Sequence, residues 1–98
     1  RAPELPEVPA VRESGGALAG FDVGSWNGLA VPAKTPAAVV DRLSRAVQAA
    51  VAQDDVKKQL QALNMRAQGS SPAALRDFLA ADIRRWSEVI AKAKLPKL

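Results

Sequence analysis

Residues 29–51, LAVPAKTPAAVVDRLSRAVQAAV, carry the pattern that decides the fold class. The apolar run at residues 29–31 is closed by Pro32, which is typical of a short buried strand. Thr35 then precedes Pro36, and this order predicts a helix cap followed by a first helical residue. A strand that leads directly into a helix is the repeating unit of an α/β fold.

The residues after Pro36 have the period of an amphipathic helix. Their apolar side chains recur every three or four positions and form one stripe: Val39, Leu43, Ala46, Val47, Ala50 and Val51. A second, shorter helix is predicted from Asp54, which is placed to cap it, to a stop at Asn64.

A third helix is predicted after Ser71 and Pro72, which repeat the order of cap and proline. Its apolar positions share one face, and Trp86 is expected to lie in the core among them: Leu75, Phe78, Leu79, Ile83, Trp86, Val89, Ile90 and Ala93. Residues 65–68 are a candidate second strand. The chain is therefore predicted to be helix-rich α/β, with few short strands and an incomplete sheet.

The first 31 residues differ from the rest in composition. Pro3, Pro6 and Pro9 are spaced by three, which favours an extended, polyproline-like lead-in. A short helical turn is predicted between residues 9 and 14, and the glycines that follow should end it. These features predict a division into residues 1–31 and 32–98.

The residues that are missing exclude several kinds of catalytic site. The chain has no His and no Cys, so a Ser-His triad, a thiol nucleophile and a histidine metal site are impossible. Asp54 and Asp55 are adjacent acids, but their place at a helix start is explained by the helix dipole. We therefore expect no enzymatic activity, no catalytic residue, no metal and no cofactor.

The net charge of +4 leaves one alternative open. A free-standing basic helical module would bind an acidic partner or nucleic acid, and Lys92, Lys94 and Lys97 are its specific support. The other basic residues are scattered, and no aromatic-interleaved stripe is present. Nucleic-acid binding is therefore not expected.

An ordered series of motifs resembles a known family. LPEVPAVRESG at residues 5–15, Gly20-Phe21 and WNGLAVPAKTP at residues 26–36 resemble the C-terminal third of Bug-type receptors of tripartite tricarboxylate transporters. Those receptors commonly carry P-x-V-P-T-x-x-E-x-G and W-x-G-L-x-A-P-x-G-T-P. Residues 56–60, 69–72 and 82–86 also match later motifs of these receptors. Ala10 and Lys34 stand where the receptors usually have Thr and Gly.

The resemblance implies a function in solute uptake. Members are two-lobed periplasmic binding proteins that hold a small carboxylate-bearing solute and deliver it to membrane permease subunits, without chemistry. Residues 1–31 would include the crossing between lobes, and residues 32–98 would complete one lobe. Ser25, Trp26 and Asn27 are the candidate ligand-binding residues; Ser14 and Gly15 are weaker ones that cap and turn roles also explain.

The same resemblance implies that the chain is a fragment. Its start at Arg1, without Met, leads us to expect a processed, truncated or excised piece. A sheet of two strands lacks partners, so the other strands would belong to the remainder of the receptor. An isolated fragment with such an edge is expected to dimerise or to exchange elements. For Trp26, packing in the core or a hinge remains the alternative to lining a cleft.

Overall fold

A computed structural model of the protein describes residues 1–96. Two short 3₁₀ helices, Val11–Ser14 and Gly16–Leu18, precede three α-helices: α1 (Ala37–Val51), α2 (Asp54–Ala62) and α3 (Pro72–Lys92). None of these helices is both long and apolar enough to cross a membrane. The chain divides into two compact units, Arg1–Ala30 and Val31–Leu98. The assignment of residues 1–31 and 32–98 to different parts of a receptor stays a prediction.

The first unit begins with tight turns. The N–H of Leu5 donates to the carbonyl of Ala2 at 3.1 Å, and the N–H of Val8 donates to the carbonyl of Leu5 at 3.0 Å. The expectation of an extended, polyproline-like lead-in is therefore wrong, because successive hydrogen-bonded turns fold these residues back. The helical turn expected between residues 9 and 14 is confirmed as the 3₁₀ helix Val11–Ser14.

The two predicted strands are absent from the described residues. Residues 21–31 and 65–68 carry no strand assignment, although both contain the expected apolar side chains. A strand exists only when its backbone pairs with a neighbour, and two short segments do not make a stable sheet. The prediction of two short strands is therefore wrong for the described residues, whereas the prediction of a helix-rich chain is confirmed.

The start of α1 differs from the prediction by one residue. Pro36 occupies the cap position with extended backbone angles, and no side chain caps the helix. Thr35 instead closes a turn, its N–H donating to the carbonyl of Pro32 at 3.0 Å. The first N–H groups of α1 have no side-chain acceptor, and water can satisfy them because Ala37 and Ala38 are exposed.

The start of α3 and the stop of α2 agree with the sequence. Ser71 caps α3, its Oγ accepting a hydrogen bond of 3.1 Å from the N–H of Ala74, and Pro72 follows as predicted. Asn64 follows α2 in the left-handed conformation, with φ of 57°. The N–H of Met65 reaches back to the carbonyl of Leu60 at 2.9 Å, so backbone bonds end α2 in a Schellman arrangement.

The second unit packs around one part of α1. The half-buried apolar side chains lie on α1, on α2, in the segment after α2 and at the start of α3: Val40, Val47, Val51, Val56, Leu60, Ala67 and Leu75. Gly69 lies so close to α1 that an added Cβ would stand 3.2 Å from Cγ2 of Val51 and 3.3 Å from Cγ of Gln48. This close approach fixes the 65–69 segment on the last turns of α1.

No side chain in the described part of the chain is fully buried. The accessible surface is 8666 Å², whereas a folded monomer of this mass exposes about 5,400 Å². Trp86, expected in the core, is 39% exposed, and Ile83 is 58% exposed. That expectation is wrong for this chain, because the described residues leave this face of α3 accessible.

Candidate functional site

The three candidate ligand-binding residues lie in the irregular part of the first unit. Ser25, Trp26 and Asn27 follow the last 3₁₀ helix and belong to neither helix nor strand. All three are exposed, and Trp26 presents 39% of its surface. Their role in binding stays a prediction.

The chemistry available at this segment is neutral. Ser25 carries a hydroxyl, Asn27 an amide and Trp26 an indole N–H, and each of these can donate a hydrogen bond. Residues 23–33 contain no Lys or Arg. A carboxylate that contacts this segment would therefore be held by neutral donors, the indole N–H among them. The face of the indole ring is slightly negative and would pack against the apolar part of the solute.

The weaker candidates, Ser14 and Gly15, have structural roles. Ser14 is the last residue of the first 3₁₀ helix, and Gly15 separates that helix from the second. Gly15 has φ of 70° and ψ of −164°, a region open essentially only to glycine. These backbone angles agree with the role in a turn that the sequence suggested for Gly15.

The best-defined polar cluster surrounds Glu13, which sequence reasoning did not single out. Arg1 donates to the Glu13 carboxylate from Nε, at 2.9 Å to Oε2, and from Nη2, at 2.7 Å to Oε1. Its Nη1 donates to the carbonyl of Pro6 at 2.8 Å. The N–H of Ala10 donates to Oε2 of Glu13 at 2.6 Å. One carboxylate thus ties together the two ends of the proline-rich segment.

The spacing of Ala10 and Glu13 is the sequence signal that could have found part of this cluster. A capping box needs Ser or Thr at the cap and Glu three residues later, so that the two side chains bond to each other's backbone N–H. In this chain the Glu13 carboxylate accepts from the N–H of Ala10, which is one of these two bonds. Ala10 has no side-chain oxygen, so the second bond cannot form. The backbone carbonyl of Ala10 accepts from the N–H of Glu13 at 2.9 Å instead.

Hydrogen bonds from Arg1, and then from the N–H of Ala10, lower the pKa of Glu13 to about 2. A depressed carboxyl pKa favours the native contact above the ordinary value of about 4.3, and this contribution disappears as the pH falls toward 2. We expect Arg1→Gln to raise the pKa of Glu13 toward its ordinary value, measured by NMR titration of the side-chain carboxyl carbon. Identical titration curves in both proteins would show that Arg1 does not set this pKa.

Two shallow clefts lie outside the candidate segment. The first, of about 230 Å³, lies in the first unit and is lined by Arg1, Ala2, Leu5, Val8, Pro9 and Ala10. The second, of about 140 Å³, lies on α3 and is lined by Phe78, Ala81, Asp82 and Arg85. Neither of these two clefts contains Ser25, Trp26 or Asn27.

Comparison with known proteins gives one family. A family model described as the tripartite tricarboxylate transporter family receptor matches residues 1–95. A UPF0065 protein from the tcbD-tcbE intergenic region of Pseudomonas sp. strain P51 is 38% identical over 95 residues, which are 97% of this chain and 28% of that protein. No solved structure matches the chain.

Two further relatives are UPF0065 proteins. The one from the clcB-clcD intergenic region of Pseudomonas knackmussii is 32% identical, over 96% of this chain and 55% of that protein. The one from the TAR-I ttuE-ttuC' intergenic region of Agrobacterium vitis is 33% identical, over 91% of this chain and 26% of that protein. The chain therefore spans between about a quarter and about half of these relatives.

Proposed function

The chain belongs to the tripartite tricarboxylate transporter receptor family, and we propose that it acts as one part of an extracytoplasmic solute receptor. The match to the family model over residues 1–95 carries this proposal, because it takes in nearly the whole chain. The receptor binds its solute in the periplasm and passes it to membrane permease subunits. It performs no chemistry on the solute.

The solute in this proposal is a small molecule with a carboxylate group, as the family description suggests. Ser25, Trp26 and Asn27 contribute neutral donors and an aromatic face to the cleft. Their position in an irregular exposed segment supports this role, because binding residues are commonly found on loops held by a scaffold. The charged groups that fix most of the affinity belong to other parts of the receptor.

The alternative of a basic interaction module receives little support. Lys92 is the last residue of α3, and Lys94 adopts the left-handed conformation that ends this helix, with φ of 53°. Lys97 lies outside the described residues. Acidic side chains alternate with the basic ones along α3, which does not favour binding to a polyanion.

The test uses a receptor-length chimaera, in which residues 1–95 replace the matching segment of the Pseudomonas sp. strain P51 protein. Titration calorimetry with a panel of mono-, di- and tricarboxylates is expected to find at least one that binds with a Kd in the micromolar range or below. The unaltered Pseudomonas protein is the control. If that protein binds a carboxylate and the chimaera binds none, the proposal is wrong.

A further inference from the structure

The apolar arc of α1 is only partly covered. Val40, Val47 and Val51 are half-buried. On this helix α2 is in contact, and Gly69 approaches Val51 and Gln48. Val39 and Leu43 lie a quarter of a turn away and are 45% and 46% exposed. An arc this wide is typical of a helix that packs on more than one side, and among the described residues only part of the arc is half-buried.

The apolar face of α3 is almost entirely uncovered. Its members repeat at intervals of four, three and four residues and remain 39–58% exposed: Leu79, Ile83, Trp86 and Ile90. The opposite side of α3 carries charged residues and Ala81. Such a one-sided helix in a globular protein buries its apolar stripe against another element.

The amount of exposed surface indicates the kind of partner. The accessible surface of 8666 Å² exceeds that of a folded monomer of this mass by about 3,300 Å². A standard protein partner covers about 800 Å² on each side. The excess is several times larger, but it is spread over both units of the chain. No described side chain is fully buried, which is expected for part of a larger fold and not for a domain with one docking surface.

The charges beside the α3 stripe argue against a lipid surface. Helices that lie on membranes are rich in Lys and Arg on the polar face. On α3 the basic residues are interspersed with Asp77, Asp82 and Glu88, and Arg85 pairs with Asp82 at 2.6 Å. A polar face with charges of both signs is typical of a helix that packs on a protein core through its other side and faces water through this one.

We propose that the exposed faces of α1 (Val39, Leu43, Ala46, Ala50) and α3 (Leu79, Ile83, Trp86, Ile90) are covered by the remainder of a receptor-length chain. This inference rests on the proposed function, because the chain spans only about a quarter to about half of the relatives that it matches. The remainder supplies an apolar layer to each face. In that assembly α1 is an inner helix, with α2 against one part of its arc and the remainder against the other.

The test compares cysteine variants on the two sides of α3. The chain has no Cys, so Ile83→Cys and Ala81→Cys each introduce one thiol, and the chimaera is prepared with any other cysteines replaced by serine. We expect maleimide to modify Ile83→Cys at least tenfold more slowly in the chimaera than in the 98-residue chain. Ala81→Cys is expected to react at similar rates in both, and Leu43→Cys should behave like Ile83→Cys.

Three results would overturn the inference. The first is equal reactivity of Ile83→Cys in the two proteins, and the second is a chimaera that fails to unfold cooperatively as a monomer. The third is protection of Ile83→Cys in the 98-residue chain that appears with rising concentration, which would identify a second copy as the occupant. Protection requires no solute, so a protected chimaera that binds no carboxylate would contradict the proposed function alone.

Discussion

Ile83→Glu is expected to lower the free energy of unfolding of the receptor-length chimaera by about 3–5 kcal/mol. Ile83 lies in the middle of the uncovered α3 stripe, between Leu79 and Trp86. When an apolar layer covers this stripe, a carboxylate at position 83 has neither water nor a cation to stabilise it. Urea unfolding followed by circular dichroism measures the loss.

Ala81→Glu is the matched control. It adds the same carboxylate two residues away, on the side of α3 that carries the charged residues, and Arg85 lies one turn further on. Its effect is expected to stay within about 0.5 kcal/mol, as for an ordinary surface substitution. Equal losses in both variants would mean that the two sides of α3 do not differ in burial.

Trp26→Ala is expected to weaken binding of the best carboxylate to the chimaera by about 10- to 100-fold. Removal of a large aromatic contact in a binding site commonly costs about 2 kcal/mol or more, and about 1.4 kcal/mol corresponds to a factor of ten in Kd. Trp26→Phe retains the ring face but loses the indole donor, so its effect should be intermediate. Titration calorimetry measures each Kd.

Val23→Ala controls for the shape of the segment. Val23 lies three residues before Trp26 in the same irregular stretch and is 52% exposed. It should leave the Kd within about threefold of the parent value, a change of about 0.6 kcal/mol. An unchanged Kd in Trp26→Ala would remove this residue from the site and would favour its alternative role in packing or as a hinge.

Local features of the fold were predictable because local chemistry decides them. Ser71 and Pro72 identified the start of α3, and Asn64 identified the end of α2, because cap and left-handed positions restrict the residue type. Thr35 misled the prediction by one residue. Pro36 occupies the cap position and no side chain caps α1, while Thr35 belongs to the turn that precedes it.

Long-range features were not predictable in the same way. Residues 29–31 have the composition of a strand, but pairing depends on a neighbour that the described residues do not supply. Trp86 has the spacing of a core residue and is exposed for the same reason. At the candidate site, Trp26 was chosen from its residue type and its position in the sequence. The Glu13 cluster could not be chosen in this way, because the folding of residues 1–13 brings Arg1 into contact with Glu13.

The contact between α1 and α2 also bears on the order of folding. These helices are joined by only two residues, Ala52 and Gln53, and Gly69 closes the 65–69 segment onto α1 soon afterwards. Contacts between residues close in sequence form fast, whereas distant ones must first overcome the entropy of closing a long loop. The α1–α2 hairpin is therefore expected to form early, whereas the α3 stripe stays exposed until the remainder of a receptor-length chain packs on it. During that interval Leu79, Ile83 and Trp86 are exposed together, which makes α3 a segment prone to aggregation and to binding by chaperones.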